Sequence, residues 1–76
     1  MARTLAQLKP GQSARVADVT GEASLQQRIL EMGILPGVEV RLIRVAPLGD
    51  PMEFELIGYR LSLRKSEAAC VSVEAA

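Results

Sequence analysis

The chain has 76 residues, of which 49% are apolar and 24% are charged, and its nine basic and nine acidic side chains give a formal net charge of zero. Chains of this size bury only one core, so we expect a single domain over residues 1–76. The balanced charge removes the long-range attraction that nucleic acids and anionic membranes exert on basic proteins, and makes both weaker candidates as partners.

The first predicted strand covers residues 13–19 and follows a turn at Pro10 and Gly11. Proline presets the φ angle of the first turn corner, and glycine adopts the positive φ that a type II turn requires next. Small or branched residues then alternate with polar residues, as in a half-buried strand.

A short amphipathic helix is predicted over about residues 24–32, between the first and second strands. Leu25, Ile29 and Met32 recur at i, i+4 and i+7 and so share one face. We expect this face to cover one open end of the folded sheet.

Both ends of this helix carry sequence signals. Ser24 and Gln27 match a capping box, which predicts Ser24 as the N-cap. Gly33 suits the left-handed position after the last turn, and Ile34 would then pack on Ile29 as in a Schellman ending.

The second predicted strand covers residues 38–45 and is rich in branched residues. Its apolar face changes after Leu42, because Ile43 and Val45 point to the opposite side, and this change predicts a bulge or bend. Residues 46–51 follow as a rigid loop, since Pro47 and Pro51 fix φ and cannot donate to a sheet.

A hairpin is predicted from residues 52–56 and 60–64, where apolar and polar residues alternate. Gly58 and Tyr59 would form a type II′ turn, which takes glycine at its first central position. Glu53 or Glu55 would then lie across from Arg60 or Arg64.

The chain ends in a helical turn at residues 65–69 and a last strand at residues 71–73. Five short antiparallel strands leave two exposed edges in an open sheet, and closure into a barrel removes them. The sequence therefore predicts a mainly β fold, a small five-stranded barrel with one short α-helix.

Groups for catalysis or metal binding are scarce. The chain has no histidine and one cysteine, Cys70, which lies in an apolar run and cannot form an internal disulfide. No paired carboxylates, closed metal-ligand set or phosphate-binding loop is present in the sequence. We expect no enzyme activity, no metal site and no cofactor.

Localisation is predicted from the lone cysteine and from the absence of signal-peptide or membrane-spanning patterns. We expect a cytoplasmic protein without direct membrane insertion, located at the inner face of the membrane only through a partner. The sequence leaves the oligomeric state open.

Basic side chains on the strands leave a binding role for nucleic acid or a small ligand open. Five of them could gather on one side of the barrel: Arg41, Arg44, Arg60, Arg64 and Lys65. We favour instead their pairing with acidic residues, namely Glu39, Glu53, Glu55 and Glu67. The chain has too few aromatic residues, Phe54 and Tyr59, for a base-stacking platform.

Four stretches in this order carry a resemblance to a known family: LKPG at 8–11, LQQRILEMGILPGV at 25–38, APLGDP at 46–51 and GYRLSLRKSEA at 58–68. Each stretch alone is a weak turn or cap signal, but together they are specific. The chain resembles the FeoA family of ferrous iron transport proteins.

The resemblance implies an SH3-like barrel that acts in bacterial ferrous iron uptake beside FeoB, a membrane permease with a cytoplasmic GTPase domain. The expected role is that of an accessory protein that works by protein–protein interaction. The alternative is an SH3-like regulatory module, or one that binds nucleic acid or a ligand, akin to the C-terminal domain of DtxR-type metal-dependent repressors.

The predicted partner-binding surface is a cleft between the helix and the loop at residues 46–51. Its residues on the two sides of the cleft are Leu25, Arg28, Met32 and Leu35, and Pro47, Leu48 and Asp50. A rigid proline-flanked loop loses little entropy on docking, which favours it as a recognition element.

Overall fold

The computed structural model describes residues 3–75, which form the following elements. In chain order they are a 3₁₀ turn at Leu5–Gln7, β1 at Ser13–Val19, α1 at Ala23–Glu31, β2 at Glu39–Val45, β3 at Met52–Leu56, β4 at Tyr59–Leu63, α2 at Lys65–Ala68 and β5 at Val71–Ala75. The predicted five strands and short helix are confirmed.

The strands form one antiparallel sheet in the order β4-β3-β2-β1-β5. Its inner face supplies most of the core, with Phe54, Leu42 and Val40 fully buried. A bulge between Leu42 and Arg44 interrupts the β2–β3 register. This bulge lies where the sequence predicted it, because the extra residue shifts the apolar positions to the other face.

The start of α1 differs from the prediction. The N-cap is Glu22, not Ser24, and no side chain caps the helix there, so the predicted Ser24–Gln27 capping box is wrong. Gln26 fixes this end instead, since its side-chain amide donates to the carbonyl of Gly21 at 2.7 Å. The local sequence pattern does not distinguish a capping box from this contact, in which the glutamine side chain donates to a carbonyl before the helix.

The end of α1 is the predicted Schellman motif. Gly33 has a φ of 94°, its amide donates to Leu30 at 3.0 Å, and the Ile34 amide donates to Ile29 at 3.4 Å. Ile29 and Ile34 are both fully buried. The helix therefore stops where the chain can turn left-handed and return an apolar side chain to the core.

The turn of the β3–β4 hairpin lies one residue earlier than predicted. Leu56 pairs with Tyr59, so the two turn residues are Ile57 and Gly58. Gly58, with a φ of 85°, is the second of them, which fits a type II turn and not type II′. The predicted cross-strand pair is present, because Glu55 lies opposite Arg60 with their charged atoms 3.6 Å apart.

Hydrogen bonds do not close the sheet between β4 and β5 within residues 3–75. The helical turn α2 connects these strands and packs against β4 and against the 3₁₀ turn. The outer edge of β5 is partly covered, since the Val73 amide donates to the carbonyl of Arg3 at 2.9 Å. Only the β4 side of the described sheet keeps an open edge.

Tyr59 ties the hairpin to the helix. Its hydroxyl donates to the carbonyl of Met32 at 2.8 Å, at the end of α1. A Cβ atom on Gly33 would overlap the same hydroxyl. Glycine is therefore required at position 33 for two reasons, its backbone angle and the space that the tyrosine occupies.

Gly33→Ala should lower the free energy of unfolding by about 2 to 4 kcal/mol, because it adds backbone strain and displaces the Tyr59 hydroxyl. Gly37→Ala is the matched control, since Gly37 has a φ of 93° but nothing near its Cβ position. The control should cost about 1 kcal/mol, the strain alone. Chemical denaturation measures both, and equal losses would contradict the steric role of Tyr59.

Candidate functional site

The predicted residues of α1 hold the helix on the barrel. Leu25 and Met32 are partly buried and pack against the core. Arg28 reaches α2, where its guanidinium lies 3.0 Å from the carboxylate of Glu67. Leu35, just after the helix, is 47% exposed. Of these four residues, Leu35 and Arg28 offer surface to a partner.

Glu67 is the one buried charged residue among those that the structure describes, with 6% of its surface exposed. Its Oε1 accepts from the amide of Arg64 at 2.9 Å, and its Oε2 faces Arg28. The carboxylate therefore begins α2 and joins it to α1 with both oxygens satisfied. Sequence reasoning expected Glu67 to pair with a strand cation, and the structure pairs it with the helix.

The loop at residues 46–51 is fixed from within and at its end. The Gly49 amide donates to Ala46 at 2.7 Å, and the Ala46 amide donates to Pro51 at 3.0 Å. Asp50 accepts from the amide of Lys65 at 2.7 Å, which places the loop beside α2. Pro47 is exposed, and Leu48 at the tip is 96% exposed. The loop is a rigid platform that presents one aliphatic side chain to solvent.

Two hydrogen bonds relate members of the predicted surface to opposite ends of β4. Met32 and Leu35 lie near the hairpin turn, where Tyr59 begins β4, whereas the loop lies near the other end of β4. Four steps of about 3.3 Å separate Tyr59 from Leu63. Between the two groups lies α2, which contacts both Arg28 and Asp50.

A cleft of about 470 Å³ opens beside the hairpin turn. Its lining is mainly apolar, from Val38, Leu56, Ile57 and the Tyr59 ring, and Arg15 and Glu39 lie on opposite strands at its rim. Sequence reasoning did not include Ile57, although it is 91% exposed. The available signal was an isoleucine in a two-residue turn, a position that usually takes polar residues or glycine.

Charges alternate across the outer face of the sheet. Arg15 lies opposite Glu39 on one side and Glu74 on the other. Glu55 lies opposite both Arg41 and Arg60. Arg44 pairs with Glu53 at 3.1 Å. Each of these arginines thus has a carboxylate in register, so the face carries no basic stripe for a phosphate backbone.

Residues 3–75 contain no group of three or more histidine, cysteine, aspartate or glutamate side chains placed to hold a metal ion. None of the helices within this range has the length and apolar character to span a membrane. Within the described residues, the exposed loop tip and the cleft at the hairpin turn are two further features with recognition potential.

Comparison with known proteins gives a consistent match. The family model of the FeoA domain covers residues 3–75. A Fe(2+) transport protein A/Fe(2+) transporter FeoB fusion protein from Porphyromonas gingivalis is 37% identical over 70 residues, which make up 92% of this chain and 8% of that protein. The chain therefore spans a small part of this curated relative.

Solved structures confirm the SH3-like fold. The NMR structure of a FeoA-like protein from Clostridium acetobutylicum is 36% identical, with a TM-score of 0.87, and the match covers 99% of this chain and 90% of that chain. The crystal structure of Stenotrophomonas maltophilia FeoA complexed with zinc, an SH3 domain protein, is 34% identical, with a TM-score of 0.82 and coverage of 96% and 91%.

The repressor-like alternative has support at the level of fold alone. A manganese-dependent transcriptional repressor has a TM-score of 0.90 to this chain over 99% of its residues, at 17% identity, and the match covers 37% of the repressor. The same barrel thus occurs as part of a longer regulator, and this likeness carries no function to the present chain.

Glu67→Ala should lower the free energy of unfolding by about 2 to 3 kcal/mol, because it removes the contacts of a buried carboxylate to both helices. Arg28→Ala should cost about 1 kcal/mol, since 61% of the Arg28 side chain is exposed to solvent. Glu53→Ala is the control, whose ion pair lies at the surface and contributes about 0.5 kcal/mol or less. Urea unfolding measures the free energy of unfolding of all three variants. If Glu67→Ala lowers it no more than Glu53→Ala does, Glu67 does not join α1 to α2 as described.

A labelled single-stranded oligonucleotide should show no specific binding in a fluorescence titration at low salt, because the outer-face arginines are neutralised in register. Binding that weakens steeply with added salt would reveal phosphate contacts and contradict this reading of the face.

Proposed function

Because the chain belongs to the FeoA family, we propose that it is an accessory protein of bacterial ferrous iron uptake that binds the cytoplasmic GTPase part of a FeoB-type permease. The fusion relative supports this pairing, since it carries Fe(2+) transport protein A and FeoB in one polypeptide. Fusion keeps two modules at a high effective concentration, which is useful when they act together. The site of action is then the inner face of the membrane, reached through the permease.

The main structural support for this proposal is the exposed tip of the loop at residues 46–51. Leu48 is 96% exposed on a loop that its own hydrogen bonds and the Asp50–Lys65 contact hold in place. A large aliphatic side chain on a rigid support loses little entropy on docking and gains by leaving water. The loop is therefore built for recognition at low conformational cost.

The remaining predicted residues form the surroundings of this contact in the proposal. Pro47 and Asp50 shape the loop, and Arg28 and Leu25 lie on the α1 side beyond α2. Met32 and Leu35, near the hairpin turn, would extend the contact along α1. Arg28 is a poor first target for mutation, because it also balances the buried Glu67.

Leu48→Asp should weaken binding to the soluble GTPase part of FeoB by about tenfold or more, since a charged group replaces the apolar contact. Ile57→Asp is the matched control: Ile57 is also aliphatic and 91% exposed, but lies at the other end of β4. The control should weaken binding by less than Leu48→Asp does, because Ile57 lies near Met32 and Leu35, at the part of the proposed contact farthest from the loop. Calorimetric titration measures both.

Three outcomes would contradict the proposal. The first is the absence of binding by the native chain. The second is equal binding by the native chain and the Leu48→Asp variant, and the third is a loss confined to Ile57→Asp. The same two variants, introduced into cells that depend on ferrous iron uptake, should show the same order in iron accumulation.

A further inference from the structure

The outer edge of β4 is an open template for strand pairing. Within residues 3–75, β4 pairs with β3 alone, whereas the edge of β5 is bridged by Thr4 at Ser72. The two residues that close a two-residue hairpin exchange backbone hydrogen bonds. Along the strand, the amide and carbonyl of successive residues then point alternately towards the partner strand and away from it. Arg60 and Ser62 therefore point their amides and carbonyls away from β3, towards solvent.

Proteins usually guard such edges with charged side chains, proline or a covering segment. The charge on β4 is Arg60, and Glu55 on the neighbouring strand compensates it at 3.6 Å. Both Arg60 and Ser62 are exposed. This edge is thus guarded less than the opposite one.

Two exposed aliphatic side chains flank the edge. Ile57, 91% exposed, lies in the hairpin turn two residues before the start of β4. Leu48, 96% exposed, lies on the loop that contacts Lys65, two residues after the end of β4. A two-fold axis through the middle of the strand brings each end of β4 next to the opposite end in a second copy. The apolar groups at the two ends would then meet each other.

We propose that two copies of this chain associate through β4, antiparallel and centred on Leu61, to form one continuous sheet. In this register Arg60 lies opposite Ser62 of the second copy, so no like charges face each other directly. The backbone groups of both residues then form the new hydrogen bonds.

The same register brings the flanking apolar groups together. Ile57, in the turn before β4, comes near the far end of β4 in the second copy, where the loop that bears Leu48 contacts Lys65 through Asp50. The two-fold axis repeats this contact, so Ile57 of each copy meets Leu48 of the other. A single unrelated strand would cover the edge without needing an apolar group at both ends, and for this reason we favour a second copy.

Sedimentation velocity of the full chain, over concentrations up to about 1 mM, tests the association, which we expect to be weak because the interface is small. Ser62→Pro removes an amide that β3 does not use, and should raise the dimer dissociation constant by about tenfold or more. Ser62→Thr keeps the amide and is the matched control, with a constant within about twofold of the native chain.

A mixing experiment tests the apolar contact. Ile57→Lys and Leu48→Asp should each weaken self-association when alone. An equimolar mixture of the two variants should restore it, because one interface contact is then native and the other joins the introduced lysine to the introduced aspartate. Failure of the mixture to recover would overturn the proposed register.

Amide hydrogen exchange gives a readout that needs no variant. Exchange at Arg60 and Ser62 should slow as the protein concentration rises, and exchange at Leu61, already bonded to β3, should not change with it. A chain that stays monomeric with freely exchanging Arg60 and Ser62 amides overturns the proposal, and so does a dimer that Ser62→Pro leaves intact. These tests use the isolated chain, so their result is independent of binding to FeoB.

Discussion

The hydrogen bond from the Tyr59 hydroxyl to the Met32 carbonyl fixes the relation between the helix and the sheet. It joins the last turn of α1 to the first residue of β4, two segments that the chain order separates widely. The contact is possible because Gly33 has no side chain at the point of closest approach. The cleft at the hairpin turn lies at this junction, since Gly33 and Tyr59 line it.

A second junction completes the attachment of the helix. Buried Glu67 binds Arg28 and the Arg64 amide, and Asp50 binds the Lys65 amide. These carboxylates are committed to structure, and the outer-face arginines lie opposite carboxylates, with Glu55 shared by Arg41 and Arg60. The groups left over for recognition are apolar and exposed, chiefly Leu48 and Ile57. A protein with this inventory is suited to contact, and the fusion of a relative with FeoB indicates which contact to test first.

Local signals predicted the features that depend on local physics. Gly33 ended the helix because a left-handed residue was needed there, and the β2 bulge appeared where the apolar face changed. The start of α1 was misplaced because the helix begins after Glu22 without a side-chain cap, and the Gln26 side-chain amide donates instead to the Gly21 carbonyl that precedes the helix. The hairpin turn was misplaced by one residue because Tyr59 pairs with Leu56 as the first residue of β4, and its hydroxyl contacts the end of α1, which no local pattern indicates.

The candidate site was less predictable, because contacts between segments that are distant in the sequence position its residues. The contacts that divide the predicted residues between two ends of β4, Asp50 with Lys65 and Tyr59 with Met32, join segments that no periodic pattern relates. Ile57 was visible only as an apolar residue in a turn. Its exposure becomes apparent once the register of β3 and β4 is known.

Chemical-shift mapping tests the central claim, that this chain acts by contact through its exposed loop, most directly. The ¹⁵N-labelled chain would be titrated with the unlabelled GTPase part of FeoB. The account predicts saturable shifts concentrated at residues 46–51 and on the neighbouring surface of α1. Unchanged spectra at saturating partner, or shifts confined to the outer-face arginines, would contradict it.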